Sequence, residues 1–471
     1  MLFDYVLLKT DALLYLLLAF LFFYIMYARK KEHLRTPWRQ VAKNKLGMMS
    51  AVILSFFLTV AVLDSIHFHP VLEKTSADTE VQYSTEIISL FDKIIEPLRL
   101  RIERTYSAPF AVHAYSKETL ELDDGKTERK YPRLIYGGAH LQDPDHDRVP
   151  DIFKTALTGL IKGFIASLLL TGLLIVWQAR QEKINFRERL MKVLKGKTEV
   201  PWRIILLTFS VMLLLVFVST ELSLKYHIFG TDKVGIDVFY QSLKSIRTGL
   251  LIGTLTTLVM LPFAILLGVM AGYFRGWIDD VIQYLYTTLS SIPGVLLIAS
   301  AALMLEIYMS KNAADFTSLV ARADLRLLFL CLILGITSWT GLCRLLRGET
   351  LKLREIDYIE AAQAFGVGHM TIIFRHLLPN VMHIVMISVV IDFSGLVLAE
   401  AVLTYINIGV DPSMESWGNM INSARLELAR EPVVWWSLAA AFVFMLSLVL
   451  SANLFADAVR DAFDPRLRRT I

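Results

Sequence analysis

The chain has 471 residues, 55% of them hydrophobic, with a mean hydropathy of +0.52 and a formal net charge of +4. A soluble chain of this length would divide into about three domains. Several apolar runs instead approach the ~20 residues needed to cross a bilayer, which excludes a soluble fold. The basic residues cluster in loops beside those runs, where they report membrane topology and give no reason to expect nucleic-acid binding. The two cysteines, Cys331 and Cys343, fall in one apolar segment and form neither a disulfide framework nor a metal motif. These features predict an all-α integral membrane protein of about nine transmembrane helices, with a small extracytoplasmic insert of undetermined fold.

Residues 1–66 carry the first two spans, 13–27 and 46–66. The first is extendable upstream if Lys9 and Asp11 lie at the interface. Between them stand Arg29, Lys30, Lys31, Arg35, Arg39, Lys43 and Lys45 against the single acid Glu32. That asymmetry places the flank in the cytoplasm and the N-terminus outside. Residues 67–155 are polar and mixed in charge, as suits an outward insert. Within it 81–106 reads as helix and 131–136 as strand. Asp143, Asp145, Asp147 and Asp151 alternate like the carboxylates of a calcium loop. Arg148 and Lys154 stand where such a loop wants glycine and a bidentate acid, so a solvated acidic turn is the other reading.

Residues 156–202 hold a third span, 156–177, and a basic cytoplasmic segment from Arg180 to Lys197. Residues 203–471 hold the remaining spans: 204–222, 248–270, 281–308, 325–346, 381–404 and 435–455. Pro293-Gly294 marks a kink in the sixth. Residues 151–163 align without gaps to 237–249. Partial duplication and chance likeness between two amphipathic approaches to a membrane both account for this.

Between the seventh and eighth spans, residues 347–380 form a loop whose second half is written as two short helices. Ile359, Ala362, Ala364 and Phe365 are spaced helically, Gly366 and Gly368 break the run, and Ile372, Ile373, Phe374 and Leu377 resume it. Pro379 is expected to end the second helix. Glu360-Ala361-Ala362, then Gly366, then Leu378-Pro379 resembles the EAA loop of ABC-importer permeases. Other stretches resemble the dipeptide/oligopeptide/nickel branch of that family on its C-type side. Gly230-Thr231-Asp232 followed by Gly235 and Asp237 is similar to its outer GTD..GRD segment, with Ile236 in place of the arginine. Gly409, Pro412, Trp417 and Gly418 are similar to its outer loop, with Asn407 where that pattern has glycine. Residues 453–468 match its cytoplasmic tail. The resemblance covers 203–471 and extends weakly to 38–68.

The resemblance implies a permease subunit forming half of a translocation pathway for peptides or similar solutes. It implies a second homologous permease, two ABC ATPase subunits, an extracytoplasmic substrate-binding protein, and a bacterial inner membrane with its lipid. The C-terminus is then cytoplasmic. The ATPases would couple through Glu360, Ala361, Ala362, Gly366, Leu378 and Pro379. ATP-Mg would sit on those subunits, since this chain has no GxxxxGK[ST] phosphate loop and no catalytic spacing in a plausible cleft. No enzyme activity and no cofactor of its own are expected. An exporter permease or a sensor derived from a permease are the alternatives. Asp392 and Glu400, acids in or near the eighth span, are candidates for the pathway because a charge there is costly unless it faces a cavity.

Overall fold

The computed structural model describes residues 4–71, 83–121, 127–312 and 318–463. The chain begins with β1 (Asp4–Val6), α1 (Lys9–Lys30), α2 (Glu32–Lys43) and α3 (Lys45–Asp64). The insert follows as β2 (His67–His69), β3 (Ile88–Ser89), α4 (Leu90–Ile94), α5 (Glu96–Leu100), β4 (Glu118–Glu121) and β5 (Thr127–Lys130). Next come α6 (Pro144–Glu182), α7 (Phe186–Leu194), α8 (Trp202–Ser223), α9 (Val238–Phe274), α10 (Gly276–Ser291), α11 (Gly294–Lys311) and α12 (Leu319–Arg354). The chain closes with α13 (Asp357–Ala364), α14 (His369–Ile372), a π turn over Ile373–Leu377, α15 (Leu378–Tyr405), α16 (Trp417–Glu427) and α17 (Trp436–Phe463).

Among the described residues, eight helices are long and apolar enough to cross a membrane. The protein is an all-α integral membrane protein. The seventh expected span, 325–346, is not among these eight but is helical within α12, where Leu327, Leu330, Cys331 and Leu334 are buried. The expected sixth span is not one kinked helix. Ile292 is extended and Pro293 precedes α11, so the backbone breaks completely between α10 and α11.

The described residues fall into two compact units. The first draws on Met1–Val6, Ala42–Thr248 and Glu415–Ser451. Here β1, β2 and β3 form an antiparallel sheet in which Asp4 pairs with His69 and Phe68 with Ile88. The expected 81–106 helix is instead β3 and two five-residue helices, because Ser89 caps α4 and a proline restarts the chain at α5. Residues 131–136 contribute only an isolated bridge between Arg133 and His113; the strand lies just upstream, as β5 paired with β4.

Helices α6 and α8 pack along their length. A Cβ at Gly159 would lie 2.8 Å from Val218 Cα, and one at Gly163 3.2 Å from Leu214 Cα. The pair is the small-residue approach that membrane helices use where lipid gives no hydrophobic drive. Ser167 Oγ donates to Ser210 Oγ at 2.7 Å one turn further on.

The second unit draws on Leu7–Val41, Gly249–Met414 and Ala452–Ile471. Leu14 of α1 joins Leu251, Ile252, Leu255, Leu327, Leu334 and Leu403 in one apolar core. Asp324 of α12 accepts hydrogen bonds from the Lys9 and Thr10 amides, at 2.9 and 3.2 Å, and from the Thr10 hydroxyl. Asp324 thus neutralises the positive end of α1. Asp11, in the same first turn of α1, is fully buried. The amphipathic α2 lays Trp38 and Val41 on Val459 and Phe463 of α17.

Replacing Gly159 by leucine should overpack the α6–α8 crossing and cost about 1–3 kcal/mol. A melting temperature of the detergent-purified variant equal to that of the parent would show that the helices do not touch there.

Candidate functional site: the helix–turn–helix at the end of α12 and the outer segment before α9

The turn between α13 and α14 follows from local backbone chemistry. Gly366 adopts φ +74° with nothing near it. Its amide bonds Gln363 O at 3.0 Å, and the Val367 amide bonds Ala362 O at 3.0 Å. This paired closure is the glycine-terminated helix end. The inner faces of the two helices are apolar and buried. Ile359, Ile372 and Leu377 are 0% exposed and share a core with Met260, Ala264, Tyr273, Leu346 and Val381. The outer face is open: Phe365 is 87% exposed, Met370 62% and Phe374 58%. Glu360 and Ala361 lie on it, and Ala362 is half-buried. Pro379 does not end the second helix. It is the second residue of α15, directly after the π turn over Ile373–Leu377. The chain passes from α14 through the π turn into the span without a break.

Polar bonds lock this structure to the turn between α9 and α10. Tyr273 Oη lies 2.8 Å from His369 Nδ1, and Arg354 Nη1 donates to Tyr273 O at 2.6 Å. Arg347 grips Asp279 with two parallel bonds of 2.6 and 2.8 Å, the fork geometry that favours arginine. Its guanidinium holds the Asp279 carboxyl below the usual carboxylate range. Arg275 reaches Glu355 at 2.5 Å.

The segment from Gly230 to Asp237 before α9 is built against the insert. Thr231 Oγ1 accepts from the Ser107 amide at 2.7 Å and donates to Thr105 O at 2.9 Å. Gly235 has φ +82°, and a side chain there would run into the Glu103 backbone. A side chain at Gly230 would meet the Ser107 carbonyl. Asp232 accepts from the Val234 and Ile236 amides, each at 2.9 Å, and from Gln241, so this loop closes on its own backbone. Asp237 caps α9 by accepting from the Phe239 amide at 2.7 Å. Its other oxygen lies 2.6 Å from His227 Nδ1.

His227 is buried between two acids. Its Nε2 lies 3.3 Å from Glu103 Oε1. Glu103 also accepts from the amides of Ile135, Tyr136 and Gly137 at 2.8–3.1 Å. Burial alone would lower the histidine pKa, but the two carboxylates outweigh it and raise it to about 9. Burial opposes ionisation of Glu103, yet its four donors pull its pKa down to about 2.

Of the other expected positions, Trp417 is buried and its Nε1 donates to Ser242 O at 3.2 Å, with Gly418 buried beside it. Pro412 is exposed. Gly409 backs onto Thr404, which also receives the Val410 amide at 3.3 Å. Asn407 has φ +63° at the end of α15. It replaces glycine where asparagine is the side chain that tolerates the left-handed region best. Asp392 is half-buried, with no hydrogen bond or ion pair among the described residues. Glu400 is buried and accepts from Thr404 at 2.9 Å.

The acidic run does not form a calcium loop. From Pro144 on it is the start of α6, a helical backbone that does not wrap around an ion as a calcium loop does. Asp151 is taken by Lys225 and Tyr226, each at 2.9 Å, and no metal-holding group occurs among the described residues. The Asp145 side chain lies outside the described residues.

One cluster escaped the sequence reading. Lys244 of α9 is flanked by Asp64 and, at 3.0 Å, by Asp92, with Ser89 2.6 Å from Asp64 and Tyr240 2.9 Å from Asp92. Lys244 lies among Gln241, Ser242, Ser245 and Arg247, before the expected span 248–270, so its own surroundings give no sign of a partner. Asp64, an acid at the end of an apolar run, was the visible counterpart.

Residues 264–469 match the family model described as "Binding-protein-dependent transport system inner membrane component". The glutathione transport system permease protein GsiD of Pectobacterium atrosepticum is 32% identical over 242 residues, which cover 51% of this chain and 73% of that relative. The chain belongs to this family. The oligopeptide permease OppC of Mycobacterium tuberculosis H37Rv is also 32% identical, over 51% of this chain and 77% of the relative. The dipeptide permease DppC of Bacillus subtilis is 28% identical, over 52% and 70%. As a member of this family the protein is a multi-pass permease subunit of an ABC importer, a class that works with ATPase subunits and a binding protein. The helix–turn–helix lies inside the matched region, and the insert lies outside it.

The His227 site gives a pH profile with a defined sign. A histidine pKa raised from 6.5 to about 9 stabilises fully below about 6.5 and is lost as pH rises through 9. The Glu103 shift stabilises above about 4.5 and is lost as pH falls toward 2. Thermal melts between pH 6.5 and 9 should therefore fall for the parent protein and stay flatter for His227→Gln. An equal fall in both would remove His227 as the cause.

Proposed function

We infer that this chain forms half of the translocation pathway of an importer for peptides or similar small solutes, and that α13 and α14 receive the force of an ATPase subunit. The observation that carries this is the division of the helix–turn–helix into two faces. One face is fused to the membrane core through Ile359, Ile372 and Leu377; the other presents Phe365, Met370 and Phe374 uncovered. An exposed aromatic so large is a protein contact waiting for a partner. Glu360, Ala361, Ala362, Gly366, Leu378 and Pro379 belong to this coupling element. The substrate class is suggested by relatives named for dipeptides, oligopeptides and glutathione.

The complete machine would hold a second homologous permease, two ATPase subunits that bind ATP-Mg, and a substrate-binding protein, with lipid around the spans. This chain would bind no cofactor and hydrolyse nothing. Asp392, unpartnered within α15, is the better pathway residue, and Glu400 the lesser. Transport proceeds by alternating access, with the spans rocking as bodies. In domain terms, 1–66, 67–155 and 156–202 precede a transport core of 203–471 with its coupling loop at 347–380.

Gly366→Pro removes the left-handed turn, because proline holds φ near −65°, and Glu360→Arg reverses a charge on the open face. Both variants should reach the membrane yet lose uptake at least about tenfold, the change expected when ~1.4 kcal/mol or more of coupling is lost. ATPases that co-purify with either variant and keep full substrate-stimulated turnover would refute the assignment.

The topology proposed is N-terminus outside, 28–47 and 178–202 inside, 67–155 outside and C-terminus inside. The pairing of Asp4 with His69 supports it, since both must lie on one face of the membrane. A cysteine at position 4, in a chain lacking Cys331 and Cys343, should react with an impermeant reagent on intact cells. Reaction only after permeabilisation would reverse the first span.

A further inference from the structure

The turn that joins α6 to α8, outside the family-matched region, leaves an apolar flank and four basic side chains open. Its short helix α7 folds back beside the end of α6. Arg189 donates to Gln178 Oε1 at 3.0 and 2.9 Å and pairs with Glu182 at 2.6 Å. One turn on, Val193 shares a small core with Ile175 of α6 and Leu206 of α8. The second half of α7 therefore lies level with apolar turns of both spans. A helix advances about 100° per residue, which puts Phe186, Leu190, Met191 and Leu194 on one flank. Phe186, Met191 and Leu194 are exposed there. Glu188 and Lys192, paired at 2.8 Å, take the opposite flank. Lys183, Arg187, Lys195 and Lys197 are exposed, and their side chains make no hydrogen bond or ion pair among the described residues. Of the nearby acids, Glu182 and Glu188 are already committed to Arg189 and Lys192, which leaves Glu199.

We propose that α7 lies in the headgroup layer of the cytoplasmic leaflet, where Lys183, Arg187, Lys195 and Lys197 bind the phosphate of anionic phospholipid. The inference rests on the topology given above, which puts 178–202 inside. A helix with one apolar flank and basic residues along it suits the boundary between acyl chains and headgroups. Continuity with the spans decides the occupant. Trp177, next to Gln178, and Leu207, next to Leu206, are exposed, and on helices that cross a bilayer such surface meets lipid. Met191 and Leu194 offer apolar surface at the same level. An acidic protein segment would answer the charges but would leave this flank without an apolar partner. Arg187 falls in the middle of the apolar flank. Its stem can lie on acyl chains while its guanidinium rises to a phosphate, which its planar fork of donors fits. The contact would hold the α6–α8 pair to the membrane face by a route independent of the transport core.

The test is native mass spectrometry of the full-length chain in detergent, with phosphatidylglycerol competing against phosphatidylcholine of the same acyl chains. The parent should prefer phosphatidylglycerol. Lys183→Gln, Arg187→Gln, Lys195→Gln and Lys197→Gln should each weaken that preference about fivefold, whereas Lys183→Arg and Lys195→Arg should keep it. All four side chains are exposed, and α7 stays docked through Arg189 and Val193, so folding should survive. Equal binding of the two lipids by the parent, or an undiminished preference with all four glutamines in place, would overturn the site. An acidic protein that co-purifies with the parent but not with the fourfold variant, in the absence of a lipid preference, would overturn it too. A bimane on Leu194→Cys, in a chain lacking Cys331 and Cys343, should be quenched by lipid with a nitroxide near its headgroup and little by aqueous iodide. The reverse pattern would lift α7 off the membrane. Glu199→Cys reports sidedness separately. Its reaction with an impermeant reagent on intact cells would overturn the topology and leave the lipid preference standing, while correct sidedness without that preference defeats only the lipid site.

Discussion

Force applied to a cytoplasmic loop moves a membrane span only if the loop is too costly to detach from it. Ile359, Ile372 and Leu377 are wholly buried in the core that includes Met260 and Tyr273 of α9, Leu346 of α12 and Val381 of α15. Exposing three such side chains costs about 1.5–3 kcal/mol each. The Arg347–Asp279 fork and the Tyr273–His369 bond add directional constraint. The helix–turn–helix therefore moves as one body with the ends of α9, α12 and α15. The π turn at Ile373–Leu377 carries α14 straight into α15, so no flexible joint lies between the exposed Phe374 and the span.

In the other unit, the same economy of backbone packing serves a different end. Gly230, Thr231 and Gly235 lie in the stretch that resembles the family's outer motif, and here they receive the backbone of Glu103, Thr105 and Ser107. The insert is consequently stitched to the start of α9 by main-chain contacts that leave no room for a side chain. Asp237 and Glu103 then share one buried histidine, which converts two isolated acids into a bonded group.

Much of this was legible in the sequence, for reasons that differ by residue. The apolar runs gave the spans because a bilayer demands uninterrupted length, and Gly366 gave the turn because few residues accept its backbone. In the sequence Pro379 reads as a stop, but the helix continues through it. Proline usually breaks a helix interior, and sequence alone does not show the π turn that precedes this one. Pro293 was read as a kink and is a break, since a kink and a break differ only in whether the neighbouring turns find other partners. The insert resisted prediction because its strands are two to four residues long and its order comes from bonds such as Glu103–His227, 124 residues apart. The Lys244 cluster was hidden likewise: Asp64 and Asp92 lie 180 and 152 residues away.

The two similar stretches 151–163 and 237–249 begin with aspartates that both reach the three consecutive residues 225–227, Asp151 bonding His140 as well. Lys225 and Tyr226 hold Asp151, and His227 holds Asp237. Whatever the origin of the likeness, the copies share one set of clasps instead of carrying one each. This sets an order of assembly during synthesis. Asp151 leaves the ribosome 74 residues before Lys225, so the start of α6 has only His140 to hold it until α8 has been made and has returned across the bilayer. Asp237 follows His227 by only 10 residues, so α9 finds its clasp already waiting. The older stretch in the growing chain is thus the later one to be secured.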